Sequence, residues 1–179
     1  MLNCKISKSN SSVCDTSVGG VLKMAVANWS PDYTFTASGT DCAIDTIDLD
    51  DANFLEVFVA DGSGYANANL SAGGNNDMKA ILHQVGGLLV HMDCDIISDW
   101  KNWLLGRVIF AVLTKNGQVF LYGVPSGLSA TNFDYATGTA DTDSQGITFL
   151  FEGVQKEVPL LVKDWKTISD LFPTPANNG

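Results

Sequence analysis

Alternation of apolar and polar positions, not a helical stripe, dominates this chain. GGVLKMAVAN (19–28) follows a glycine pair and predicts a first strand. AIDTIDLDD and NFLEVFVADG (43–62) predict two more strands around an acidic turn. DGSGYANANLSAGGNND (61–77) is rich in Gly, Asn and Ser and predicts a long flexible loop. MKAILHQVGGLLVHMDCD (78–95) predicts one long strand bent at Gly86 and Gly87, because paired glycines in mid-element disfavour a helix. Near its end His91, Asp93 and Asp95 fall on one face of the alternation, with Met92, Cys94 and Ile96 on the other.

SDWKNWLLG (98–106) has helical spacing. Ser98 can cap it, Asp99 suits the first turn, Gly106 ends it, and Trp100, Trp103 and Leu104 share a stripe expected to face the core. RVIFAVLTKNGQVFLYG (107–123) predicts a hairpin with a type I′ turn at Asn116-Gly117. Both of its runs are apolar on both faces, so the hairpin should be covered on both sides, by its own helix and by another sheet or subunit. Residues 123–146 read as a long polar connection. LLVKDWKTISDLF (160–172) places Leu161, Trp165, Ile168 and Phe172 on one helical stripe before Pro173. No internal repeat or linker divides the chain, so 1–179 is expected to form one domain.

GTADTDSQGITFLFEG (138–153) has a second meaning. Asp141, Asp143, Gln145, Gly146 and Glu152 stand almost where an EF-hand puts positions 1, 3, 5, 6 and 12. An EF-hand needs flanking helices, yet ITFLFEG alternates as a strand does. Six extended residues span roughly 20 Å, which carries Glu152 away from Asp141. The expectation is a turn feeding a strand, with no metal site.

Composition narrows the classes. The 179 residues suit one sizeable core, and the 17% charged residues fall below the roughly 25% of a typical domain. Few long charged side chains make a surface less costly to bury against neighbours. Twenty acids against ten bases give a net charge of −10, which argues against a nucleic-acid binder. Cys4, Cys14, Cys42 and Cys94 lack zinc-site spacing, and reduced thiols are expected. Neither a signal peptide nor an apolar run of membrane-spanning length is expected. The two histidines, His83 and His91, sit in no catalytic motif, so neither enzyme chemistry nor a cofactor is expected.

One succession of motifs is distinctive. A short helix ends at Gly106-Arg107 and is followed by the Asn116-Gly117 hairpin and a Gly127-Leu128 pair. Then come Gly138, Thr139 and Ala140, Asp143 and Gly146 before the strand of Thr148 and Phe149, and a closing Gly153, Lys156, Glu157 and Pro159. In this order the chain resembles tail-tube-like virion proteins of phages that infect Bacteroidetes hosts, well over 97–160 and more loosely over 15–60. The resemblance implies a mainly β fold, a β-sandwich or β-barrel-like subunit with one flanking helix and a short C-terminal helix. It further implies homo-oligomeric, hexameric rings in the family's manner, stacked into a tube through which DNA passes without specific binding. Other virion tail proteins would be partners, no membrane is involved, and the product of the host cytoplasm ends in the virion.

On that resemblance Asp45, Asp48, Asp50, Asp93 and Asp95 are the candidate lumen lining. Gly64, Tyr65, Asn67 and Asn69 in the 61–77 loop, with Trp165 and Phe172 in a C-terminal arm (160–179), are the candidate inter-ring contacts. Six copies at −10 each would sum to −60 per ring. The alternatives are a head–neck or tail-terminator protein, or a soluble ligand- or carbohydrate-binding β-sandwich with Trp29, Tyr33 and Tyr65 as stacking platforms.

Overall fold

The structure, a computed structural model, describes residues 19–37, 42–72, 79–89, 94–137 and 145–173. The elements are β1 (Val21–Asn28), β2 (Thr34–Ala37), β3 (Ile44–Asp48), β4 (Leu55–Val57), β5 (Tyr65–Ala72), β6 (Lys79–Leu89), α1 (Cys94–Leu105), β7 (Arg107–Thr114), β8 (Val119–Tyr122), β9 (Leu128–Ala136), β10 (Gly146–Gln155), β11 (Leu160–Val162) and α2 (Trp165–Ser169). The protein is mainly β, as expected.

Six strands close on themselves. β4 pairs with β1, β1 with β7, the start of β7 with β9, β9 with β10, and β10 with β6, all antiparallel. An antiparallel bridge from Val59 to Leu89, with the Ala60 N–H donating to the Leu88 carbonyl at 2.8 Å, joins β6 back to the end of β4. Inward positions of this barrel bury Met24, Val26, Val85, Val108, Phe110, Leu128, Ile147, Phe149 and Phe151. Phe110 stacks on Phe149 at 6.1 Å and meets Phe151 at 5.3 Å. Trp103 of α1 lies over Phe151 and Phe133, so the helix covers the aromatic end of the core.

A second layer grows from the other half of β7. β8 pairs with β7, β11 with β8, β3 with β11, and β2 with β3; the β11–β3 pair is parallel, which makes the sheet mixed. Its core joins Ala25, Ala27, Ile109 and Ala111 to Ile44, Leu49, Phe54, Val119, Leu121, Val162 and Ile168. β7 is therefore buried on both faces: Val108, Phe110 and Val112 face the barrel, and Ile109 and Ala111 face the second layer. The doubly apolar pattern of its sequence required this cover.

Several expectations are corrected. Residues 65–72 form strand β5 where a flexible loop was expected, because the open edge of β6 offers backbone partners that outweigh the weak strand preference of Asn and Ala. Residues 128–136 form β9, not part of a polar connection. The long strand expected to residue 95 ends at Leu89, and the helix begins at Cys94, four residues before the predicted start; short mixed runs satisfy either period. Of its predicted stripe Trp103 packs inward, but Leu104 is 43% exposed.

The hairpin turn is not type I′. Register pairs Leu113 with Val119, leaving Lys115, Asn116 and Gly117 as a three-residue loop. The Gly117 N–H donates to the Thr114 carbonyl at 3.0 Å, and Gly117 takes φ +81° while Asn116 does not turn positive. This is a type I turn closed by a left-handed glycine. Nor does one helix run over 160–172. Leu160–Val162 join the sheet, and Asp164 then caps α2 through the Thr167 N–H at 2.9 Å.

Candidate functional site

β5 is an outer strand. It pairs with β6 through Tyr65–Gly86 to Ala72–Lys79, and among the described residues no strand pairs with its other edge. Its eight residues, YANANLSA, hold neither a charge nor a proline, the two features that most often guard a free edge. Leu70, on the side facing the barrel, is 64% exposed.

The step from β4 to β5 is built around Ser63. Its hydroxyl donates to the Ala60 carbonyl at 2.7 Å and accepts the Leu88 N–H at 3.1 Å. That side chain satisfies the β6 backbone where the turn interrupts pairing. Gly64 then packs inward: a Cβ there would lie 3.2 Å from both Met24 and Val59. Tyr65 covers Gly86, where a Cβ would lie 2.6 Å from its ring. Gly86 and Gly87 thus clear space for neighbours and do not end the strand.

The side of β5, β6, β10 and β9 turned away from the barrel core carries a polar ladder. Asn69 donates to Gln84 at 3.2 Å, and the Gln84 amide donates to the Glu152 carboxylate. Glu152 is paired with Ser129 of β9 and Gln84 of β6, and Asp134 with Thr148. β5, β9 and β10 contain no Lys or Arg. This acidic sheet face was missed because β9 was not recognised as a strand.

Of the expected lumen residues, Asp45 and Asp48 lie on β3 and Asp50 in the turn after it, where Asp48 accepts the Asp50 N–H at 3.0 Å. Asp50 takes φ +57°, and the Asp48 carboxylate holds this tight turn. Asp95 lies on α1 and so does not share a strand face with Asp93, which falls outside the described residues. The structure therefore does not align these five on one face. Of the expected contact residues, Tyr65, Asn67 and Asn69 do share the same face of β5. Trp165 and Phe172 instead meet at 6.3 Å and pack, half-buried, against the second core. Residues 160–172 are thus part of the domain and not an arm.

Asp141, Asp143 and the segment 138–140 lie outside the described residues, as do His91, Cys4 and Cys14. Gly146 and Glu152 belong to one continuous strand, so Glu152 does not fold back on the turn before it. Among the described residues no group of three or more His, Cys, Asp or Glu could hold a metal ion. Cys42 is a free, exposed thiol.

Cavities open on the surface between the described residues. One, about 500 Å³ and open to solvent, lies between α1 and the barrel rim, bordered by Asn28, Asn53, Asp99, Asn102 and Trp103. Another, about 410 Å³, is lined by Trp29, Pro31, Tyr33, Phe35 and Pro125. Trp29 is held there by donating to the Pro125 carbonyl at 2.7 Å, with the Arg107 guanidinium 5.7 Å from its ring. Burial, with the Asp50 charge adding to it, raises the Tyr33 hydroxyl pKa, so it stays a donor. Trp29 and Tyr33 thus share a pocket, and Tyr65 is elsewhere, on β5. No described helix is long and apolar enough to cross a membrane. Comparison with protein-family models, curated proteins and solved structures returned no match.

Proposed function

We propose that this protein is a structural subunit of a phage tail tube, closing into rings through sheet edges and stacking into a channel for DNA. The observation that carries the reading is β5: an unguarded edge of eight residues beside a core that is already complete. Such an edge invites pairing with another chain, and a ring of copies satisfies it without open-ended growth. The acidic ladder face, with Glu152 and Asp134 and without bases on β5, β9 or β10, suits a channel wall. Within about one Debye length, roughly 8 Å at physiological salt, it repels phosphate and keeps DNA from adhering.

Size-exclusion with light scattering, followed by negative-stain imaging, tests this on the full chain. Rings or hollow tubes are expected from the native protein. The double variant Ala68→Lys/Leu70→Lys, which places two charges on the edge strand, should stay monomeric with an unchanged circular dichroism spectrum. A native protein that stays monomeric at high concentration sinks the reading; rings that never stack favour a neck or terminator role. The Trp29–Tyr33–Phe35 pocket supports a second reading, a ligand-binding module, for which a sugar would raise the melting temperature of a monomer.

A further inference from the structure

We propose that His83 is a proton-controlled latch that, beside the β6–β10 ladder, ties the β5–β6 hairpin to the end of β8 and to the link from β10 to β11. His83 stands on the core side of β6 and is fully buried. Its ring touches two segments distant in sequence. The Gly123 N–H, just after β8, donates to Nδ1 at 3.2 Å, and Nε2 lies 3.0 Å from the Glu157 carbonyl in the link from β10 to β11. A backbone N–H can only donate and a carbonyl can only accept. The two contacts therefore select one species, the neutral imidazole with its proton on Nε2. Tyr122 meets the ring edge-on at 5.5 Å, and its hydroxyl lies 3.5 Å from the Ala66 carbonyl of β5. One side chain thus ties β6, β8 and the 156–159 link together.

A second proton would sit on Nδ1 and face the Gly123 N–H, donor against donor. Among the described residues no carboxylate faces the ring to offset that charge. Tyr122 is the titratable group in ring contact, β5 presents Ala68 opposite His83, and β10 presents Gly153. Lys156 and Glu157 are exposed in the link, Glu152 lies on the opposite sheet face, and Lys79 opens β6. Burial lowers the His83 pKa, against the smaller upward pull of the Glu157 carbonyl.

The sign follows from proton counting. The unfolded chain takes up its proton near pH 6.5, while the folded chain does so only at lower pH. Between those two values the unfolded or opened state binds more protons, so stability is full above about pH 6.5 and falls as pH drops through the window. Protonation breaks the Gly123 contact first, which removes the tie from β6 to the end of β8 and leaves the β6–β10 ladder to hold the hairpin that carries the β5 edge.

The latch is tested on the full chain, independently of any assembly, by urea unfolding and amide hydrogen exchange from pH 7.5 to 5.5. His83 and His91 are the only histidines, so His83→Gln and His91→Gln separate their contributions. Native protein and His91→Gln should lose stability toward pH 5.5. Exchange at 65–72 and 156–159, corrected for intrinsic rate, should open by up to about tenfold per pH unit, the limit for one linked proton. His83→Gln should be flat. A flat native profile, or a slope that survives His83→Gln, overturns the proposal. If His83→Gln does not fold, the His83 ring titration followed by NMR in native protein decides: a midpoint at or above 6.5 refutes the latch, and one clearly below supports it.

Discussion

At Gly146 the backbone of β10 passes so close to β6 that a Cβ would lie 2.1 Å from the Leu89 carbonyl oxygen. No rotamer relieves such a contact, because both partners are main chain. Gly62 is the natural comparison: its φ is +76°, but open space surrounds it. Gly146→Ala should therefore cost about 3 kcal/mol or more, in the range of severe backbone strain. Gly62→Ala should cost about 1 kcal/mol, the ordinary left-handed penalty for a side chain. Urea midpoints measure both, and equal losses would show that the close approach is not what demands glycine. The same residue explains the calcium look-alike of its sequence. A glycine that an EF-hand uses to turn sharply is used here to let two strands touch, and Glu152 beyond it belongs to a cross-strand ladder.

Elements that were missed share a physical cause. In β9 the register slips between Phe151–Ala130 and Leu150–Asn132, so Thr131 is an extra residue. Leu128, Ala130 and Phe133 all face inward only because that bulge changes the parity, and a search for strict alternation fails across it. β5 does alternate, with Asn67 and Asn69 against Ala66, Ala68 and Leu70, but its residue types are those of loops. Helix α1 was legible through its tryptophans, and its anchoring is selective. Trp103 contacts Phe133 and Phe151, whereas Leu105 is 76% exposed. Trp103→Ala should lower unfolding free energy by about 3 kcal/mol, as for a large aromatic removed from a core. Leu105→Ala should change it by less than about 0.5 kcal/mol. Comparable losses from the two would mean that α1 docks by a different face.

Across the whole molecule, two cores share a single strand. Phe110 belongs to the barrel core and Ile109, its neighbour, to the second layer, with both side chains fully buried. Neither core can lose β7 and remain intact, so the domain should unfold in one step. Phe110→Ala and Ile109→Ala should each lower stability by about 3 kcal/mol, with coincident fluorescence and circular dichroism transitions. Trp103 reports on the first core and Trp29 and Trp165 on the second. A fluorescence transition separated from the dichroism would show two lobes that melt independently. The same construction leaves β5 at one end of the strand order and β2 at the other.

The sequence by itself determined the local, strongly patterned parts: β1, the β7–β8 hairpin, the start of β10 at Gly146 and the mainly β class. In each, apolar period and turn chemistry agree within a few residues of one another. It also showed that β7 must be covered twice, since both of its faces are apolar. Only tertiary structure decided that 65–72 is a strand, that Thr131 shifts β9 by one residue, and that Trp165 and Phe172 belong to a core. It also decided that His83 meets Gly123 and Glu157 while Asp95 leaves the strand for a helix. These outcomes depend on which backbone edges and side chains become neighbours in the folded chain, 40 and 74 residues apart for His83 with Gly123 and Glu157, and such contacts leave no period in the chain to read.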